Sequence, residues 1–179
     1  PTNAIPRIAS ANNRFFFFND RTVFTSADGQ TGQQAAALTF TPTSVAFGQG
    51  RYVAAGYDGI PTKAVVATSS DGTTWTEERI EGSSGIAGIL FAAGQFVAVC
   101  HGGEILSSAD GLVWRQSFQP TANASLFAVA YGNNRWIATG RLSLTSTDGT
   151  TWKATASIPE GGPIRFAGGT FVLFTDRLN

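Results

Sequence analysis

Methionine is absent from this chain of 179 residues, which carries one cysteine, one histidine and only two lysines, Lys63 and Lys153. A lone thiol, Cys100, cannot close an internal disulfide, and it excludes a zinc site built on cysteines. Charge is also scarce. Charged side chains make up 13% of the chain, about half the usual share. The 12 basic and 12 acidic residues cancel at pH 7, which leaves no electrostatic footprint for a nucleic-acid backbone. No apolar run approaches the roughly 20 residues of a bilayer span, so membrane insertion is not expected. The chain opens at Pro1 without a charged n-region and apolar h-region. The expectation is a start set by processing or excision, with no signal peptide. What the chain does have is 21 glycines, 14 phenylalanines and 42% hydrophobic residues, the composition of a turn-rich, strand-favouring chain with a real core.

Internal repetition organises that material. A small-and-acidic tetrapeptide occurs four times: Ser26-Ala27-Asp28-Gly29, Ser69-Ser70-Asp71-Gly72, Ser108-Ala109-Asp110-Gly111 and Ser146-Thr147-Asp148-Gly149. The aspartates stand 43, 39 and 38 residues apart. Trp75, Trp114 and Trp152 follow the last three, while Gly32 takes that place in the first. Ahead of each tetrapeptide runs an apolar-small-aromatic triplet, a turn, and an aromatic-led apolar run. Val45-Ala46-Phe47 to Tyr52-Val53-Ala54, Ile89-Leu90-Phe91 to Phe96-Val97-Ala98 and Val129-Ala130-Tyr131 to Trp136-Ile137-Ala138 are the clear copies. A degenerate copy opens the chain at Ile8, and a fifth closes it from Ile164 to Leu173.

Each repeat fits four short strands, A to D. Strand A is the triplet, B the aromatic-led run, C ends at the Ser-x-Asp-Gly turn, and D begins at the tryptophan. Helical periodicity is missing; Gln33–Leu38 reads as one or two helical turns at most. Four strands in a period near 40 residues select an all-β fold, a β-propeller of four-stranded antiparallel blades. The count is about five blades, four complete and one half. Residues 1–179 read as one propeller domain. Two readings of its ends stay open: a five-bladed ring in which Thr2–Ile5 serves as an outer strand of the last blade, or a piece of a longer chain with further blades.

Ser-x-Asp-Gly-x-x-Trp resembles the Asp-box, or BNR repeat, of propellers such as sialidases, sortilin-like receptors and photosystem II assembly factors. The aromatic-led Val-Ala motif is similar to uncharacterised bacterial and phage propellers. The chain departs from the sialidase pattern in placing Gly directly after Asp and Trp one residue closer. The turn residues Asp28, Gly29, Asp71, Gly72, Trp75, Asp110, Gly111, Trp114, Asp148, Gly149 and Trp152 read as structural. An aspartate at such a turn accepts backbone N–H bonds while glycine supplies positive φ. Being one blade apart, the four aspartates cannot share one metal ion, and no metal or cofactor is expected.

In the families this chain resembles, ligands bind at the B–C and D–A connections. Those segments hold Asp20, Arg21, Tyr57, Asp58, His101, Glu104 and Arg141, together with Asp176-Arg177, and longer D–A loops at 81–85, 119–125 and 159–163 are candidate walls. The first seven are the candidate ligand-binding residues. No catalytic residue is assigned. A lone His101 without a nucleophile elbow makes no triad, and Glu77 and Glu78, adjacent on a strand, point to opposite faces. The leading reading is a non-enzymatic binding module for a glycan or protein surface. The low charge and the Thr/Ser/Gly/Phe bias resemble virion or extracellular surface proteins, with a cytoplasmic place and homo-oligomers left open. The alternative is a sialidase-like glycoside hydrolase, with Arg7, Arg21, Arg141 and Arg165 as the arginines available by position. A third reading is an assembly scaffold, which calls for a basic stripe that this sequence does not show.

Overall fold

The computed structural model describes residues 7–59, 62–121 and 124–174, and these residues form strands and turns without a helix. Blade one is β1 (Arg7–Ala11), β2 (Arg14–Asn19), β3 (Thr22–Ser26) and β4 (Gln33–Ala37). Blade two is β5 (Thr41–Gly48), β6 (Arg51–Asp58), β7 (Lys63–Ser69) and β8 (Thr76–Ser84). Blade three is β9 (Ile86–Ala92), β10 (Gln95–Cys100), β11 (Ile105–Ser108) and β12 (Arg115–Phe118). Blade four is β13 (Leu126–Gly132), β14 (Arg135–Gly140), β15 (Leu144–Ser146) and β16 (Lys153–Ala154). The fifth holds β17 (Ile164–Ala167) and β18 (Thr170–Leu173). Strands follow chain order in every sheet and neighbours are antiparallel. The fold is a β-propeller of four complete blades and a half blade.

The A–B hairpins show why these strands pair in this register. Each has two central residues at positive φ: Asn12-Asn13, Gln49-Gly50, Ala93-Gly94, Asn133-Asn134 and Gly168-Gly169. That is the type I′ geometry, whose twist matches the flanking strands. In blades two to five an aromatic pair then faces itself across the hairpin. Phe47–Tyr52, Phe91–Phe96, Tyr131–Trp136 and Phe166–Phe171 have ring centroids 4.7 to 4.8 Å apart.

The core is divided among the joints between blades. Period-two alternation along β6 sends Tyr52 and Ala54 to blade one, where they meet Phe16, Phe18 and Val23. It sends Val53 and Ala55 to blade three, against Ile89, Phe96 and Leu106. The joint between blades three and four joins Val97, Val99 and Ile105 to Leu126, Trp136, Leu144 and Trp152. Ala128, Ala130 and Ile137 meet Ile164 at the last joint. The innermost strands of all five blades border one axial cavity of about 390 Å³, lined in part by Ile8, Ser44, Gly88, Phe127 and Arg165.

Three sequence expectations need correction. Gln33–Ala37 is β4, the outer strand of blade one, because its pairing with β3 overrides the helical leaning of Gln and Ala. The segment 81–85 is no loop: β8 continues through Ser84, with a register shift opposite Lys63–Ala64 and Gly82 at φ +76°. Strand D begins one residue after the tryptophan, which belongs to the turn. Nε1 of Trp114 and Trp152 donates to the carbonyl of Gly111 and Gly149 at 3.2 and 3.1 Å. Thr2–Ile5, Ile60, Pro61, Asp176 and Arg177 lie outside the described residues.

Candidate functional site

The two ends of the strands carry different chemistry. At one end sit the A–B hairpins and the Ser-x-Asp-Gly turns, in which four aspartates repeat one hydrogen-bond pattern. Asp71 Oδ1 accepts from the amides of Thr73 (2.7 Å) and Thr74 (2.8 Å), and Ser69 Oγ donates to the same oxygen while accepting from Gly72 N. Asp28, Asp110 and Asp148 do the same with the residues two and three ahead. Gly72, Gly111 and Gly149 hold φ at +74 to +78°, the region where an L side chain is strained. Turns of adjacent blades are also tied together. Arg14 Nη1 donates to Asp71 O at 3.0 Å, and Gln95 Nε2 to Asp148 O at 2.5 Å.

Those amide bonds favour the ionised carboxylate and hold Asp28, Asp71, Asp110 and Asp148 below the ordinary value of 3.8. A carboxylate depressed in the folded state stabilises fully above the unfolded value and loses that contribution as pH falls through the folded one. The thermal midpoint is therefore expected to fall as pH drops below about 4. The double variant Asp71→Asn, Asp148→Asn keeps an acceptor oxygen and loses the charge, so its acid limb should be shallower. Midpoints recorded across that pH range check this, and parallel limbs for the two proteins would contradict it.

The other end carries the B–C and D–A connections and every candidate residue. Successive blades offset these connections around the face, so the seven candidates fall into separate groups instead of one constellation. Between blades one and two, Asp58 is half-buried and bound by Arg79 of β8, with Arg21 at 3.8 Å. Asp20 lies exposed in the β2–β3 turn at φ +53°. Between blades two and three, Tyr57 and His101 meet edge to face with centroids 6.1 Å apart. Glu104 is 9% exposed and turned inward, accepting from Ser84 Oγ at 2.7 Å. Between blades three and four, His101 and Arg141 line a cleft of about 630 Å³ with Gly102, Gln119, Pro120, Thr121, Ala124 and Ser125.

That cleft is built on fixed backbone. The amide of His101 donates to Gly85 O at 2.9 Å, and Gly103 N to Cys100 O at 3.0 Å. The amide of Arg141 donates to Ser125 O at 2.8 Å. Cys100, beneath the turn, is fully buried; burial first, and the charge of Glu104 second, push its thiol far above the ordinary value. A thiol held protonated is neither a nucleophile nor a metal ligand. Among the described residues, neither the axial cavity nor the cleft is lined by a carboxyl group. The arginines considered for a hydrolase do not converge: Arg21 pairs with Asp58, Arg141 lines the cleft, and Arg165 borders the axial cavity. The side chain of Arg7 lies outside the description. Arg79 and Ser84 escaped the sequence reading because they sit on a plain outer strand and meet their partners only through tertiary packing.

These observations define a β-propeller whose two ends separate a braced turn face from a loop face with a cleft. No family model matches the chain, and no curated protein matches it. Solved structures of propellers do. The YCF48 structure bound to a D1 peptide superposes with a TM-score of 0.65 at 16% identity, covering 94% of this chain and 60% of that one. A chain of the nidogen/laminin complex gives 0.69 at 11%, covering 92% and 70%. Virginiamycin B lyase from Staphylococcus aureus gives 0.77 at 17%, covering 96% and 63%. The chain thus spans about 60 to 70% of the length of these structures.

Proposed function

We propose that the chain is a non-enzymatic binding module that takes a segment of a protein partner on its loop face. One observation carries this reading. The loop face offers a cleft between blades three and four, while Glu104, in the B–C turn beside it, is engaged by Ser84, and Asp58, two joints away, by two arginines. A glycoside hydrolase needs two carboxyls facing one substrate across roughly 5–10 Å. A fold that carries binding proteins and a lyase does not decide function, so the site must. Two of the similar structures, YCF48 with a D1 peptide and nidogen with laminin, are complexes with protein partners, which supports the same use of the fold here. We place the chain with the Asp-box propellers on its Ser-x-Asp-Gly-x-x-Trp turns, treat 1–179 as one propeller unit, and assign the turns a bracing role.

Selection of a random peptide library on the full chain, alongside a glycan array, tests the reading. Peptides are expected that bind saturably, lose binding to the Ser125→Trp protein, whose cleft is filled, and keep it with Thr150→Trp on the turn face. Peptides indifferent to Ser125→Trp, no selected peptide at all, or ligands found only among glycans would contradict it.

A further inference from the structure

The chemistry of the cleft narrows the partner. We infer that the cleft between blades three and four recognises an acidic peptide segment, with Arg141 as the residue that pairs with its carboxylate. This rests on the binding-module reading above.

Charge on the loop face is locally compensated in one place and uncompensated in the other. At the joint of blades one and two, Asp58 faces both Arg79 and Arg21. At the joint of blades three and four, Arg141 is exposed at the cleft and the described lining residues include no carboxylate. Among the described residues, Arg21 and Arg79 pair with Asp58 within 4 Å, whereas Arg141 has no such carboxylate partner. The acid nearest the B–C turn, Glu104, is kept out of the cleft by its bonds to Ser84, whose Oγ also accepts from Gly102 N at 2.6 Å. This arrangement turns the Glu104 carboxylate away from an anion at the cleft.

The rest of the lining suits a peptide carboxylate. A guanidinium presents its donors in a planar fork that matches a carboxylate in bidentate fashion. Gln119, Thr121 and Ser125 bring an amide and two hydroxyls to the same space, so further lone pairs can be met. Pro120 and Ala124 offer small apolar walls. Among the described lining residues His101 is the one aromatic ring, which gives a sugar little aromatic face to stack on. Backbone bonds hold the His101–Gly103 turn and tie Arg141 to Ser125, and Gly103, at φ +92°, lies hard against Pro120 and Ala124.

The peptides selected on the full chain are the probe. Those that depend on an open cleft are expected to be rich in Asp and Glu. Calorimetry should show affinity falling at least about tenfold for Arg141→Gln, and by a similar factor when the peptide's acid is replaced by its amide, the usual worth of a charge-assisted bond. The two losses should not add, because each removes one side of the same pair. Affinity should also weaken as salt is raised. Arg141→Lys keeps the charge and loses the fork, and should recover only part of the binding. Cleft-dependent peptides without acidic residues, indifferent to Arg141→Gln, would overturn this inference and leave the binding-module reading standing. An absence of cleft-dependent peptides would remove both.

Discussion

Replacing Trp136 with alanine should lower the free energy of unfolding by about 3–5 kcal/mol, the range for deleting a large buried aromatic. Trp136 is the largest fully buried side chain described, pairing with Tyr131 and filling the joint between blades three and four among Val97, Leu126 and Leu144. Its ring sits at the aromatic position that opens strand B in every repeat, occupied by Tyr52 and Phe96 in the two preceding blades. A contrast sharpens the test. Trp136 Nε1 is buried with no hydrogen-bond partner, so Trp136→Phe removes an unpaired polar group along with some volume. Phenylalanine should therefore cost much less than alanine, under about 1.5 kcal/mol. Denaturant unfolding of the two variants measures both. Equal losses would mean that the indole, and not the filled joint, is what the fold requires.

Gly140→Ala should be comparably damaging for a different reason. An added Cβ at this position would stand 1.9 Å from the carbonyl oxygen of Ser125 and 2.7 Å from Leu126 Cα. Both are backbone atoms, so no side-chain rotation can relieve the clash. Gly56 repeats the situation in blade two, 2.0 Å from Thr41 O. In each blade the glycine pairs beside the register shift of strand A, Gly56 with Pro42 before the Pro42–Ser44 shift and Gly140 with Leu126 before the Leu126–Ala128 shift. A loss of about 3 kcal/mol, the upper end for overpacking, corresponds to a drop in Tm of roughly 6–12 °C for a domain of this size. Because Ser125 O also accepts the amide of Arg141, Gly140→Ala should disturb the cleft as well as the blade. A Tm within a degree or so of the parent would show that strand A can move away freely at this point.

The blades were legible because their signals are local. A two-residue turn tolerant of positive φ and a Ser-x-Asp-Gly turn each act within a few residues, and each recurs with every blade. Strand β4 was not legible, since Gln33-Gln34-Ala35-Ala36-Ala37 has no strand propensity of its own and is held by β3. Gly82 mimicked a loop, although it marks a bulge within β8. The candidate site was legible as a list of residues on one face and illegible as an arrangement. Asp58 and Glu104 look alike in sequence, as acids in B–C connections. Only packing against Arg79 of β8 and Ser84 at its end shows that both are already engaged. The cleft arises from the approach of the blade-three D–A loop to the next B–C connection, a property of blade spacing that no short segment encodes.

The proposed binding role divides the propeller into a braced turn face and a loop face that takes the partner. Hydrogen exchange on the full chain, with and without a saturating cleft-dependent acidic peptide, tests that division most directly. Protection is predicted at His101–Glu104, at Gln119–Thr121 and at Arg141–Leu142, with exchange unchanged at Gln49–Gly50, Ala93–Gly94 and the Ser-x-Asp-Gly turns. Protection confined to those turns and hairpins, with the cleft residues unaffected, would contradict it.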